Sequence, residues 1–483
     1  MKKMMILLFV LTMVFTAGCS NKAKETEDNG TKTIKVVYKD EGPSNPVAIN
    51  YFTKLEELLK QEEDLDVKFE LVEMPQGNYA EKLNLLLMSG EIPDLIYFQG
   101  GDQQIKEQDL LEDLTPYIEK SKYVKDTLQP QNIERMNNYP YLLWIKPLDS
   151  KTPVIRKDWF ESTTSGKELL SNPTPENYRK FFKEIVENSP EENGKPTYAV
   201  TVAGDIAELD TIFNMAFGIN KTWLEKDGKY INAKISEEEK EKLNFYSTLY
   251  KEGLLDPQYL TKQWDTKEEA FYDGSTAVIA GTNGKIIDVY NGKMKQVNGE
   301  GAEIMVLPPA NGEYQGFTPT DITKESRGIA ISSQSENKDT VFQILDFLAS
   351  PEGQKFDRLG FEGEHYEETD SEIKLTEKYY NEWYSRFWES DEFQTEKPLE
   401  TPLLSESAQK SRDLATEYYS QDNNFIIPEE YVSKWDAMEN IYKEFATDVI
   451  TGKRSIDDFD KFVEEWNNAG GNEITEYANK NVK

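Results

Sequence analysis

Ile34-Lys35-Val36-Val37-Tyr38 is a short β-rich run, and the sixty residues after it decide the fold class. An amphipathic helix comes next, with Val47, Tyr51, Leu55, Leu58 and Leu59 at the spacing that lines one face. Val67-Lys68-Phe69-Glu70-Leu71 alternates apolar and polar, as a half-buried strand does. A second helix carries Tyr79, Leu83, Leu86 and Leu87, and Gly90 suits its C-terminal cap. Pro93-Asp94 then leads into Leu95-Ile96-Tyr97-Phe98, a continuous apolar run of the kind found in central parallel strands. The order strand, helix, strand, helix, strand predicts a doubly wound α/β lobe. Ligands of such sheets gather at the carboxyl ends of the strands, which singles out the loops Asp40 to Asn45 and Gln99 to Gln103.

Further along, the α/β pattern continues. Thr174-Pro175 opens a helix to about Asn188, with proline at its first position. Ser236 and Glu239 have capping-box spacing ahead of Leu243, Tyr246, Leu249 and Tyr250, and Gly253 stops that helix. Tyr198 to Val202, Thr276 to Ala280 and Arg327 to Ile331 read as buried strands, the last leading into a helix from Thr340 to Ala349. From about Lys355 the chain is mainly helical and rich in Tyr and Trp.

Composition narrows the function classes. The chain has 483 residues, 55 Lys and Arg against 89 Asp and Glu, and a formal net charge of −34. Phosphate binding needs clustered basic residues, so nucleic acid is not a partner expected of it. Lys2 and Lys3 precede an apolar run from Met4 to Phe15, followed by Thr16-Ala17-Gly18-Cys19. That is the pattern of a secretory signal, and the run is too short to span a bilayer. Cys19 is the only cysteine, so no disulfide forms within the chain. Ser20 to Lys32 is almost wholly polar and reads as a flexible tether. Residues 16–19 resemble a bacterial lipobox, with Thr16 where that motif usually has Leu. The resemblance implies cleavage after residue 18 and a diacylated Cys19 that anchors the protein to the membrane.

Several other segments, in order, carry a second resemblance. They are Tyr79-Ala80-Glu81-Lys82-Leu83 with Ser89-Gly90-Glu91-Ile92-Pro93-Asp94-Leu95, then Ile155-Arg156-Lys157-Asp158-Trp159 and Asn172-Pro173-Thr174-Pro175-Glu176. Gly253-Leu254-Leu255-Asp256-Pro257, Phe271 to Ala277, Ser350-Pro351-Glu352-Gly353, Gly360-Phe361-Glu362-Gly363 and Ile450-Thr451-Gly452-Lys453 follow. The chain resembles the extracellular solute-binding lipoproteins of bacterial ABC importers, in the branch that binds sugars and oligosaccharides. The resemblance implies a type II periplasmic-binding-protein fold, two doubly wound α/β lobes joined by a hinge, with a helical C-terminal part. It places residues 33–147 and 308–350 in the first lobe and 148–307 and 351–483 in the second, after the signal at 1–18 and the tether at 19–32. It further implies a monomer, a carbohydrate held between the lobes, and separate transmembrane permease subunits as partners. No cofactor is implied. A peptide or amino acid as ligand, and a lipid-anchored carbohydrate-active enzyme, are the alternative readings.

A pyranose presents an apolar face and a rim of hydroxyls, so aromatic planes and paired polar side chains are the groups to seek. In the first lobe these are Asp40, Glu41, Tyr97, Phe98, Gln99 and Asp102; strand alternation turns only one of Tyr97 and Phe98 toward the ligand. Trp144 lies near the first crossing. In the second lobe the resemblance points to Asp205, Asn214, Trp223, Thr282 and Asn283, and in the C-terminal part to Trp383. A uronic acid ligand would need Arg or Lys aimed at its carboxylates, and Arg156 and Arg327 are the candidates. Some relatives carry a calcium loop that corresponds to residues 189–197. Here Ser189 and Thr197 replace two of its carboxylates, so no metal is expected. The single histidine, His365, reads as structural. No Gly-x-Ser-x-Gly elbow, Walker loop or zinc-protease motif is present, so an enzyme is not expected.

Overall fold

The computed structural model describes residues 30–75, 78–91, 93–100, 109–148, 150–188, 191–192, 195–281, 283–321, 323, 327–389 and 393–482. The signal and the first residues of the tether, Cys19 included, lie outside them. In chain order the first lobe opens with β1 (Lys32–Val37), α1 (Pro46–Glu63), β2 (Val67–Leu71), α2 (Tyr79–Met88), β3 (Leu95–Gln99) and α3 (Pro130–Asn138). The second lobe supplies β4 (Pro153–Arg156), α4 (Pro175–Asn188), β5 (Tyr198–Thr201), α5 (Ala207–Phe213), α6 (Glu237–Lys251), α7 (Trp264–Tyr272), β6 (Thr276–Ala280), α8 (Lys285–Asn298) and β7 (Ile304–Val306). The chain then returns to the first lobe for β8 (Arg327–Ile331), α9 (Lys338–Leu348) and α10 (Pro351–Leu359), and ends with helices that include α11 (Glu406–Glu417) and α12 (Val432–Ile450).

Each lobe is built on a four-stranded sheet. The first has the order β8-β3-β1-β2, with β1 parallel to β2 and β3, and β8 antiparallel to β3. The second has the order β7-β4-β6-β5, with β6 parallel to β5 and β4 antiparallel to both neighbours. Period-two alternation gives each sheet two buried faces. Ile34, Val36, Leu95, Ile329 and Ile331 face the core shared with α1 and α9, whereas Val37, Ile96, Phe98 and Ala330 face the core shared with α2. In the second lobe Ile155, Val278 and Ala280 face α4, α6 and α12, and Val154 and Ile279 face α7, α8 and α11. Both lobes are thus covered by helices on both sides, and the fold is mixed α/β.

Local chemistry explains the helix ends. Asn45 caps α1 by accepting from Val47 N (3.0 Å) and Ala48 N (3.4 Å), with Pro46 at the first helical position. The buried stripe of α1 runs Ala48, Tyr51, Phe52, Leu55 and Leu59, so Val47, expected inside, is 43% exposed. Ser236 Oγ accepts from Glu239 N at 3.2 Å, but the reciprocal half of the capping box is missing. The Glu239 carboxylate pairs with buried Lys242 at 2.9 Å and accepts from Tyr442 Oη at 2.6 Å.

The cores divide the chain differently from the expected boundaries. It leaves the first lobe's core after Ile145 and enters the second's at Val154. The loop after Leu307, assigned to the first lobe, packs on the second through Ala310 and Phe317. Its backbone explains this: Asn311 N donates to Pro173 O and Glu313 N to Ala216 O, both at 2.9 Å. A Cβ on Gly312 would come 2.2 Å from Ala216 O, so only glycine lies this close. Residues 351–389 and 393–403, assigned to the second lobe, belong to the first, where Phe361, Tyr379, Trp383, Phe387 and Trp388 complete its core. Leu403 still packs against that core, and Leu404 packs against the second lobe.

Candidate ligand-binding cleft

On the first lobe the carboxyl ends of the parallel strands β1 and β3 emerge side by side and carry Tyr38-Lys39-Asp40 and Tyr97-Phe98-Gln99. Tyr97 O accepts from Tyr79 Oη at 2.6 Å, which fixes the end of β3. The Tyr97 ring lies 4.9 Å from Tyr38 and 6.0 Å from Trp144, centroid to centroid. Trp144 is set beside this edge because Leu143 and Ile329 exchange backbone hydrogen bonds of 2.9 and 2.7 Å. Two cations adjoin its ring, Arg135 at 5.9 Å and Lys146 at 5.5 Å. Tyr97 and Trp144 are both half-buried, so each offers ring surface.

The opposing wall comes from α7 and the crossing segment. Trp264, at the first position of α7, is half-buried, and Lys267 Nζ sits 3.6 Å over its ring. Lys267 is wholly enclosed and donates to Glu208 Oε1 (2.7 Å) and Ala280 O (3.0 Å). Burial pushes its amine down to about 8, with Glu208 opposing the shift. Lys151 Nζ lies 3.5 Å from the same Glu208 oxygen and 5.4 Å from the Trp264 ring. One carboxylate oxygen therefore serves two amines. Glu268, on the next turn of α7, accepts from Tyr290 Oη at 2.8 Å.

Lys39 and Asp40 join the two walls. Lys39 is half-buried, with Arg327 of its own lobe and Glu268 and Lys151 of the other within electrostatic reach. Loss of hydration lowers its pKa; Asp40 and Glu268 oppose that shift, and Arg327 and Lys151 add to it. Asp40 adopts a left-handed φ of 66° and keeps accessible surface, yet the surrounding protein strips enough water to raise its carboxyl. Lys39 opposes that rise, and Glu41 and Glu268 add to it. Two interlobe cavities flank the crossings. One of about 490 Å³ lies between Asn137 and Asn138 on one side and Asp321, Gln421 and Asn424 on the other. The second, about 390 Å³, is lined by Arg358, Tyr379 and Glu389 on one side and Lys285 and Arg412 on the other.

The sequence candidates separate under this geometry. Asp40, Tyr97, Gln99 and Trp144 come together on the first wall. Phe98, offered as the alternative to Tyr97, is fully buried against α2, on the inner side of the alternation. Glu41 is 1% exposed, with Arg386 Nε 2.9 Å away in ion-pair contact and Tyr384 Oη donating at 2.7 Å, so it braces the loop from below. Asp205 is exposed after β5, and its Oδ1 accepts from Ala207 N at the start of α5. Asn214 is buried: it accepts from Lys242 Nζ at 2.7 Å and donates to Thr318 Oγ1 at 3.2 Å. It lines a cavity of about 90 Å³ inside the second lobe. Asn283 is nearly buried and donates to Leu148 O at 3.5 Å.

Trp223 and Trp383, expected at the ligand, are both 1% exposed and form core contacts instead. Trp223 stacks on Phe425 at 5.6 Å and donates to Asn424 Oδ1 at 3.2 Å. Trp383 donates to Asp357 O at 3.1 Å and packs against His365 and Phe361. Burial lowers the pKa of His365 to about 4, and its Nδ1 accepts from Phe361 N. Asp102 and Thr282 lie outside the described residues, as do Ser189, Pro190, Asn193 and Gly194 of the loop considered for calcium. Among the described residues no group of three His, Cys, Asp or Glu side chains is placed to hold a metal ion. Of the uronate candidates, Arg156 pairs with Asp158 at 2.8 Å and lies over Trp159, away from the cleft, whereas Arg327 lies near Lys39. Lys39, Lys151, Trp264 and Glu268 stand at this candidate cleft, although nothing in the sequence singled them out. The one available signal was adjacency, since Lys39 directly follows β1 beside Asp40.

A two-lobed α/β molecule with aromatic and charged groups between its lobes has the form of a ligand-capturing protein. The chain belongs to the family of bacterial extracellular solute-binding proteins, whose model matches residues 42–355. It is 24% identical to the lipoprotein LipO of Bacillus subtilis, over 99% of this chain and 98% of that one. It is 20% identical to the polygalacturonan/rhamnogalacturonan-binding protein YtcQ of the same organism, over 98% and 97%. The solved N-glycan transport solute-binding protein NgtS of Streptococcus pneumoniae shares the fold at a TM-score of 0.66. Its identity is 16%, covering 92% of this chain and 96% of that one.

Proposed function

We propose that the protein is the substrate-binding lipoprotein of an ABC importer and captures a carbohydrate, most simply an oligosaccharide, between its lobes for delivery to a membrane permease. The observation that carries this reading is the half-buried pair Tyr97 and Trp144 on the first lobe, with half-buried Trp264 of the second lobe beside Lys151, which lies within electrostatic reach of Lys39. Aromatic faces suit the apolar side of a pyranose, and the charged and amide groups around them suit its hydroxyls. Two relatives point the same way, one named for binding polygalacturonan and rhamnogalacturonan and one for N-glycan transport. On this reading the ligand leaves unchanged, so no side chain has a catalytic role, and the cleft residues are Asp40, Tyr97, Gln99, Trp144, Trp264 and Glu268. Cys19 carries the lipid that holds the protein at the outer face of the cytoplasmic membrane.

A titration panel of mono- and oligosaccharides, amino acids and short peptides tests the ligand class. Saturable binding of saccharides, recovered intact afterwards, is the expected result. Binding of peptides alone would overturn the carbohydrate assignment, and breakdown of a saccharide would overturn the transport role. For the anchor, Cys19→Ala is expected to move the protein from the membrane fraction into the medium. Retention of that variant in the membrane would sink the lipid assignment.

A further inference from the structure

The cleft holds positive charge inside a chain whose net charge is −34. Lys39 makes no ion pair and no side-chain hydrogen bond among the described residues, although it is half-buried. An amine partly removed from water without a partner is costly unless something supplies the missing charge. Lys151 on the other wall is only loosely held: it lies 3.5 Å from Glu208 Oε1, an oxygen that the closer Lys267 also engages, and its side chain keeps exposed surface. The two amines belong to opposite walls, so an anion lying between them would bridge the lobes. Asp40 and Glu268 share this space. They offset part of the positive charge without pairing directly with Lys39, and Glu268 also accepts from the Tyr290 hydroxyl.

Ring surface lies next to these amines. Trp264 is 5.4 Å from Lys151 Nζ, and Trp144 with Tyr97 closes the other side beside Arg135, whose Nη2 donates to Arg327 O at 3.1 Å. A sugar stacked on such a plane and bearing a carboxylate at its edge would meet both kinds of group at once. A neutral sugar would leave both amines as they are. We propose that the cleft selects an acidic saccharide, an oligomer with uronate carboxylates, with Lys39 and Lys151 as its carboxylate-binding groups and Trp144 and Trp264 as ring platforms. This rests on the carbohydrate reading above and narrows it to one chemical class.

Isothermal titration of the purified full chain in non-ionic detergent tests the proposal, using tetramers of galacturonate, guluronate and glucuronate beside neutral galactose and glucose tetramers. At least one uronate tetramer is expected to bind at least about tenfold more tightly than the neutral ones, the difference a single charge-assisted contact provides. That preference should shrink as salt rises, because part of it is electrostatic. Lys39→Gln and Lys151→Gln should each weaken uronate binding by about tenfold while thermal midpoints stay near the parent's, and Lys39→Arg should recover part of it. Equal or tighter binding of a neutral tetramer would overturn the acidic preference and leave the carbohydrate reading standing. Unchanged uronate affinity in both Gln variants would also overturn it. Binding of no saccharide, with a peptide bound instead, would overturn both.

Discussion

Tyr97 and Phe98 are adjacent on one strand and do opposite work. Phe98 fills the core under α2, where truncation to Ala leaves a cavity and is expected to cost about 3–5 kcal/mol of stability. Trp144 faces the cleft and has less packing to lose. Trp144→Ala is expected to lower ligand affinity at least about tenfold at a smaller stability cost, whereas Phe98→Ala shifts the denaturant midpoint and leaves the affinity of the folded fraction within a few-fold. The opposite pattern would mean that the strand's faces are reversed. Glu389 gives a second residue-level test. It is largely buried between Lys146 (3.0 Å) and Arg412, and although burial alone would raise its pKa, these cations and Arg358 bring it down to about 2. Between pH 4.5 and pH 2 the unfolded chain then binds more protons than the folded one, so stability rises with pH through that window. The contribution is complete above about pH 4.5 and disappears as pH falls through 2, on the order of 2–3 kcal/mol. Glu389→Gln is expected to flatten that part of the stability curve, read from urea melts at successive pH values.

At the level of elements, legibility follows sequence distance. The strands and helices from Ile34 to Phe98 were readable because each buries one face against near neighbours, and burial imposes period 2 or 3.6 on the sequence. The capping position of Ser236 was readable too, but not the fate of Glu239, whose partner Tyr442 lies about two hundred residues away. Trp223 and Trp383 misled for the same reason. Nothing beside Trp223 announces Phe425 and Asn424, and nothing beside Trp383 announces that residues 384–388 are pinned to the first lobe by Asp357. That carboxylate accepts from the backbone N of Arg386, Phe387 and Trp388 at 2.9, 3.0 and 3.1 Å, and from Tyr51 Oη at 2.8 Å. Lys39 and Trp264 were missed because a lysine after a strand and a tryptophan opening a helix carry no periodic signal. Removing the anchor tests the pinning. Asp357→Ala leaves three buried N–H groups and a hydroxyl without their acceptor and is expected to cost about 3–5 kcal/mol, seen as a lower urea midpoint. A change below about 0.5 kcal/mol would show that the segment is held by its apolar contacts alone.

For the whole molecule, the decisive feature is that each lobe has its own cores and that, among the described residues, no core cluster mixes the two. The lobes are joined by the chain crossings, by α8 lying close against residues 377–382, where Lys285 Nζ donates to Tyr380 O at 3.2 Å and a Cβ on Gly292 would come 2.6 Å from Asn381 Cα, and by polar bridges such as Glu389–Arg412 and Gln421–Glu134. Such a connection lets the lobes rotate as rigid bodies without disturbing packed interiors. A ligand touching both walls favours the closed form by its difference in affinity for the two forms, and by no more than that. Binding and closure are therefore separable observables. At a hundred times its Kd a ligand adds about 2.7 kcal/mol, which for two cooperative lobes of this size raises the melting midpoint by about 3 °C. The saccharide that produces this shift is expected also to reduce the radius of gyration in small-angle scattering, saturating at the same concentration. With Trp264→Ala the ligand keeps its first-lobe contacts but loses a second-lobe platform, so the compaction should weaken more than the binding does. A full thermal shift with no compaction in the parent chain would mean that the ligand rests on one lobe only. The amines of Lys39 and Lys151, which stand on opposite walls, would then have no common ligand to bridge.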